Sequence, residues 1–83
     1  MPSTNTLRTR YQYLKLFVHR LEDHWFVHLH DTKHDEWVNH DEAFLTAEKA
    51  QGEAIRVAIS HMMRNGDRPS QDPKGVVWTE SEN

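Results

Sequence analysis

The chain has 83 residues, with 10 Lys and Arg, 13 Asp and Glu, 7 His and no Cys. This length corresponds to one small domain and excludes a two-domain enzyme with its own cofactor-binding fold. The lack of cysteine excludes a disulfide framework, an iron–sulfur cluster and a thiolate zinc site. The apolar runs are far shorter than the roughly 20 residues that cross a bilayer, and the first residues do not resemble a secretory signal. We therefore expect a cytoplasmic protein.

The formal charge of −3 is distributed unevenly. Residues 1–20 carry four basic side chains and no acid, whereas residues 21–48 carry eight acids and Lys33 alone. A sequence pI near 6.1 argues against a general nucleic-acid binder. Arg8, Arg10 and Arg20 are candidate phosphate contacts in an accessory role, and the alternative is that they neutralise the acidic middle of the chain.

The first half of the chain predicts a flexible N-terminal arm and then a β-hairpin. Residues 1–10 are polar and show no periodicity, so we expect a loose arm. Residues 11–21 and 24–31 both alternate between apolar and polar positions, which is typical of strands. A turn at Glu22-Asp23 would place Val18 opposite Val27 and Phe17 opposite His28, and a slip of one residue would destroy this match.

The second half predicts a weak strand, one helix and a closing strand. Residues 36–40 form the third strand, with Trp37 on one side and Val38 on the other. Thr46 can cap a helix that carries an alanine-rich stripe and ends at Asn65-Gly66. Residues 76–79 read as a short strand and residues 80–83 as a frayed tail. Residues 11–79 are therefore a single α+β domain, a small two-layer β-β-β-α-β sandwich whose antiparallel sheet of three to four strands has one helix on one face.

One helix covers one face of such a sheet, and the other face is unusually apolar. We expect it to display partner-binding side chains and to contact a second copy or a small protein partner. The alternative is that Tyr and His are ordinary amphipathic surface residues there. The predicted partner-binding residues are Tyr13, Phe17, Phe26, His28 and Val38.

Residues 28–42 are rich in His, Asp and Glu, which makes metal binding an alternative function. His28 and His30 share a strand face, and His19 lies on the neighbouring strand on the same face. Imidazoles at this spacing can bind Zn²⁺, Cu²⁺ or Ni²⁺ when a third ligand comes from a neighbour. The sequence contains no H-E-x-x-H motif, so the prediction rests on spacing alone.

Nothing in the sequence predicts catalysis or a cofactor. The neighbouring carboxylates Asp35-Glu36 and Asp41-Glu42 point to opposite faces of a strand, and there is no nucleophile elbow, phosphate-binding loop or dinucleotide fingerprint. His61 lies on the apolar stripe of the helix, where a buried and hydrogen-bonded histidine is the simplest expectation. We therefore predict a non-catalytic protein.

The helix, the loop after it and the closing strand share a pattern of small, turn-forming and apolar residues. These are Thr46, Ala47, Ala50, Ala54, Ile55, Ala58, Gly66, Pro69, Ser70, Val76 and Val77. Together with the order of elements, this pattern resembles the HicB-like antitoxin domain of bacteria. The resemblance covers residues 11–79 and implies a partly RNase H-like fold without nuclease chemistry, which acts by binding a small toxin or another copy of itself.

Overall fold

The computed structural model describes residues 5–70 and 72–81. The first four residues of the predicted arm and the last two of the predicted tail lie outside this range. The described part contains five strands, one α-helix and one short 3₁₀ turn. They are β1 (Thr6–Tyr11), β2 (Leu14–Leu21), β3 (His24–Asp31), β4 (Glu36–Phe44), α1 (Ala47–Arg64), the 3₁₀ turn (Pro73–Gly75) and β5 (Thr79–Ser81).

The strands form one antiparallel sheet in the order β4-β3-β2-β1-β5, and α1 packs on one face of it. The predicted small α+β class with one helix is therefore confirmed, although the sheet has five strands. The predicted hairpin register is also confirmed, because Val18 pairs with Val27 and Phe17 with His28. Glu22 makes the tight turn possible by adopting a φ of 58°.

The prediction of a flexible arm is wrong for residues 6–10, which together with Tyr11 form β1 along the edge of β2. Leu7 and Tyr11 point toward the helix, and Tyr11 is fully buried. The alternation was hidden because the outward positions of β1 hold Arg8 and Arg10, so the segment looks uniformly polar. The predicted long first strand is interrupted by a turn at Gln12, whose φ is 54°.

Both outer strands differ from the predicted bounds. β4 extends to Phe44 and carries an irregularity in its pairing opposite Trp25 and Val27. The closing strand begins at Thr79 instead of residue 76 and pairs with β1, so the residues predicted as a frayed tail include strand residues. Residues 79–81 pair with β1, whereas the apolar residues 76–78 lie just before the strand.

Helix α1 begins and ends where the sequence predicts. Thr46 is the N-cap, and its side-chain oxygen accepts a hydrogen bond from the Lys49 amide at 3.2 Å. Gly66 follows the C-cap Asn65 with a φ of 80°, which a glycine adopts at little cost. Small side chains let the helix lie close to the sheet, and Ala50, Ala54 and Ala58 are fully buried there.

No helix in the described ranges is both long and apolar enough to cross a lipid bilayer.

Candidate functional site

The candidate site is the open face, which we define as the side of the sheet opposite α1. Strand register fixes which side chains lie on it, because partners on neighbouring strands point the same way. Three rows cross the sheet from β1 toward β4. They are Arg10, Lys15, His30 and Trp37; Arg8, Phe17, His28 and Asn39; and Thr6, His19 and Phe26.

Four aromatic rings on the open face form a continuous group, which we call the aromatic ladder: Phe17, His28, His30 and Trp37. Phe17 stacks on His28 with ring centroids 5.1 Å apart, and His30 stacks on Trp37 at 4.5 Å. Trp37 also lies 5.9 Å from Phe17, which closes the group. The Trp37 side chain is nevertheless 57% exposed, so the ladder presents a large ring to solvent.

Of the five predicted partner-binding residues, Phe17, Phe26 and His28 lie on the open face, and Tyr13 and Val38 do not. Val38 pairs with Leu29 and packs against the core, so it faces the helix. Trp37, which pairs with His30, takes the place expected for Val38. The length of the β3–β4 turn decides whether Trp37 or Val38 lies on the open face, and the sequence pattern does not determine this length.

Tyr13 is not on the open face because it lies in the β1–β2 turn instead of in a strand. Its hydroxyl donates a hydrogen bond of 2.7 Å to Asp67, beyond the end of the helix. Burial and this carboxylate raise the pKa of Tyr13 to about 12. The residue therefore ties the turn to the segment after α1 and takes no part in the open face.

The basic residues of the open face gather on the β1 side. Arg8, Arg10 and Lys15 line a groove of about 520 Å³, together with Phe17 and part of the segment 75–79. Of the predicted phosphate contacts, Arg8 and Arg10 thus lie together. Arg20 does not join them, because it pairs with Trp25 on the helix side and its Nε donates to the Glu22 carbonyl at 3.0 Å.

The predicted metal ligands on this face make other contacts. His19 Nδ1 lies 2.9 Å from the Thr6 hydroxyl, and His30 Nε2 lies 3.1 Å from the Asp35 carboxylate. His28 stacks on Phe17, and burial, aided by the charge of His19, lowers its pKa. A metal site at these three histidines stays a prediction. In the described part of the chain, the donor atoms that do converge belong to His40, Glu42 and Glu53.

A second polar cluster, centred on Asp31, lies on the helix side of the sheet. Asp31 is fully buried, and both of its carboxylate oxygens are saturated. Oδ1 accepts from the Lys33 and His34 amides, each at 2.9 Å, and Oδ2 contacts His34 Nδ1 and His61 Nε2, each at 2.7 Å. Burial alone would raise the pKa of Asp31, but the hydrogen bonds from His61 and His34 outweigh it and hold this pKa well below its usual range.

The Asp31 cluster joins the β3–β4 turn to the last turns of α1. His61 is buried and hydrogen-bonded, as its position on the apolar stripe predicts. Its partner Asp31 lies 30 positions away in the sequence, and the three neighbouring His-Asp pairs in the sequence do not indicate this contact. Asp31 continues the alternation of Val27 and Leu29 on β3, and this alternation indicates that its side chain points toward the helix.

Comparison of this chain with protein-family models, with curated proteins and with solved structures finds no match.

Proposed function

We propose that this protein is a non-catalytic interaction domain that binds a second copy of itself through the open face. The observation that supports this best is the aromatic ladder, which α1 leaves uncovered. Four rings in mutual contact are already ordered, so covering them costs little side-chain entropy. Aromatic residues are enriched at the cores of protein interfaces, and Trp is among the residues that most often dominate the binding free energy.

The distribution of charge on the open face favours a second copy as the partner. Arg10 on β1 pairs with Lys15 on β2, whereas Asp35 lies in the β3–β4 turn and is 93% exposed. The β1–β2 and β3–β4 turns are at the same end of the strands. A two-fold axis parallel to the strands would therefore set Asp35 of each copy against Arg10 and Lys15 of the other, with the two ladders at the centre.

The open face is a better candidate than the free edge of the sheet. β4 is the long outer strand, but it carries Glu36, Asp41 and Glu42, and its pairing is irregular near its end. Charged residues and bulges are the features that prevent edge-to-edge pairing. The other edge strand, β5, has only three residues.

Sedimentation velocity over a concentration series tests the proposal. Trp37→Ala should weaken association by at least about tenfold, because truncation of a hot-spot aromatic residue costs about 2 kcal/mol or more and about 1.4 kcal/mol is already tenfold. Met63→Ala is the matched control, since Met63 is 64% exposed but lies on the helix. A wild-type chain that stays monomeric at several hundred micromolar would contradict self-association.

A charge exchange tests the two-fold arrangement separately. Lys15→Glu and Asp35→Lys should each weaken the homodimer through like-charge contacts. An equimolar mixture of the two variants should restore association, because each interface pair then joins opposite charges again. If the mixture does not associate although both single variants are impaired, the two-fold arrangement is refuted. The proposal that the open face is the interface would not be affected by this result.

Single-stranded nucleic acid is a second candidate occupant of the open face. The groove lined by Arg8, Arg10 and Lys15 next to Phe17 combines phosphate-binding cations with a ring on which a base can stack. Titration of a fluorescent poly-T or poly-U oligomer at two salt concentrations tests it. Arg8→Ala should then weaken binding and reduce the salt dependence. If the oligomer does not bind at low ionic strength, single-stranded nucleic acid is eliminated as a candidate.

The resemblance to HicB-like antitoxin domains gives an alternative partner for the open face, a small toxin. Co-purification with the product of a neighbouring small open reading frame tests it. Trp37→Ala should abolish that co-purification if the toxin uses the open face.

A further inference from the structure

The end of β4 and the middle of α1 bring one histidine and two carboxylates together on the helix side of the sheet. His40 Nε2 lies 3.2 Å from Glu53 Oε2 and 3.6 Å from Glu42 Oε1. The donor atoms of all three residues lie within 4.8 Å of one another. The His40 ring is held in place by stacking on Phe44, with centroids 5.9 Å apart and planes at 13°.

His40 Nε2 is shielded from solvent and makes no hydrogen bond in the described structure. Glu42 Oε1, at 3.6 Å, is too distant for a hydrogen bond, and Glu53 Oε2, at 3.2 Å, is close enough but does not have the angle that a hydrogen bond requires. A buried ring nitrogen without a hydrogen-bond partner is costly and calls for an explanation. An atom placed between the nitrogen and the two carboxylates would provide one.

The two distances from the His40 nitrogen to the carboxylates match a tetrahedral zinc ion. Zn–N and Zn–O bonds of about 2.0–2.2 Å place the ligand atoms of a tetrahedron about 3.3–3.6 Å apart. The two distances from His40 Nε2, 3.2 and 3.6 Å, agree with these values. Imidazole and carboxylate together suit Zn²⁺, whereas Mg²⁺ and Ca²⁺ prefer oxygen ligands alone.

We propose that His40, Glu42 and Glu53 bind Zn²⁺ as a three-ligand site that fastens the end of β4 to α1. The fourth position is open to water or to a ligand from outside the site. This proposal does not depend on self-association, because the site faces α1 and the aromatic ladder lies on the other side of the sheet. It also differs from a site at His19, His28 and His30.

Arg56 competes for the same carboxylate. Its guanidinium forms a forked pair with Glu53, with Nε donating to Oε1 at 2.8 Å and Nη2 donating to Oε2. This pair lowers the pKa of Glu53 and keeps the carboxylate ionised. The Arg56 side chain is 66% exposed and can swing into solvent when zinc binds. Arg56→Gln should therefore tighten zinc binding severalfold.

The test is titration of the untagged full chain with ZnCl₂ by isothermal calorimetry. Glu42→Gln is the main variant because Glu42 is 64% exposed and its loss should not unfold the domain. Glu42→Gln and His40→Gln should each weaken zinc binding by at least about 10–100-fold, since even changes outside the ligand shell cost that much. His28→Gln is the matched control and should bind zinc as the wild type does. Co²⁺ in place of Zn²⁺ should give the intense visible absorption of a tetrahedral site.

Three results would overturn the proposal. One is the absence of zinc binding by the wild-type chain at millimolar ZnCl₂. Another is unchanged affinity in both Glu42→Gln and His40→Gln, with circular dichroism showing that both are folded. The third is a loss of binding in His28→Gln alone, which would place the metal on the open face.

Discussion

Removal of the Asp31 carboxylate should be among the most damaging single changes in this protein. The carboxylate receives four contacts of 2.7–2.9 Å in a fully buried position. Asp31→Ala leaves the buried His61 ring and two amides without this acceptor. Breaking a buried charged network in this way costs about 3–5 kcal/mol. A chain of 83 residues has a total stability of about 4–12 kcal/mol, so the variant should be partly unfolded.

Asp31→Asn removes the negative charge of the side chain but keeps its shape. The amide fills the same space and can still accept on one side, so we expect the hydrogen bonds to weaken from the charged to the neutral class. At about 1 kcal/mol for each of two imidazole contacts, the expected loss is about 2 kcal/mol. Urea unfolding followed by tryptophan fluorescence at pH 7 measures both variants. Asp23→Asn is the control, because that carboxylate is exposed in the β2–β3 turn, outside the proposed interface, and its loss should change stability little.

The dependence on pH gives an independent check. Because the pKa of Asp31 is lower in the folded state than in the unfolded chain, its contribution is complete above about pH 4 and is lost as the pH falls further. The stability difference between the wild type and Asp31→Asn should therefore shrink below pH 4. Equal unfolding midpoints for wild type, Asp31→Asn and Asp31→Ala at pH 7 would refute the reasoning, as would a difference that does not change with acidification.

Three further predictions concern the helix and the open face. Gly52→Ala should stabilise the domain by about 0.5–1 kcal/mol, because a Cβ at this helix position meets no atom within 4 Å, and urea unfolding measures the gain. Thr46→Ala should destabilise it by about 1 kcal/mol in the same assay through loss of the N-cap, whereas Thr46→Ser should not. Self-association should weaken as the pH falls from 7.5 to 5.5, because burial already lowers the pKa of His28 in the single chain and covering the open face in a dimer would lower it further, so that the dissociated chain takes up the proton more readily. Sedimentation at pH 7.5 and 5.5 checks this, and stronger binding of an oligonucleotide at the lower pH would favour the nucleic-acid alternative instead.

The sequence alone determined the parts of the fold that depend on local periodicity. Two strands with the same inward pattern could pair in only one register without exposing Val18 or Val27, and that register is present. The cap at Thr46, the alanine stripe and the stop at Gly66 were equally predictable, because each depends on residues within a few positions of one another.

Tertiary structure decided everything that depends on contacts between distant parts of the chain. The polar segment 6–11 became a strand because the free edge of β2 and a place in the core for Tyr11 were available. The turn before β4 set which of Trp37 and Val38 faces outward, and so it decided the composition of the aromatic ladder. Glu53 meets His40, and His61 meets Asp31, only when the helix packs on the sheet, because hydrophobic burial sets the position of the helix and its polar partners follow from that position.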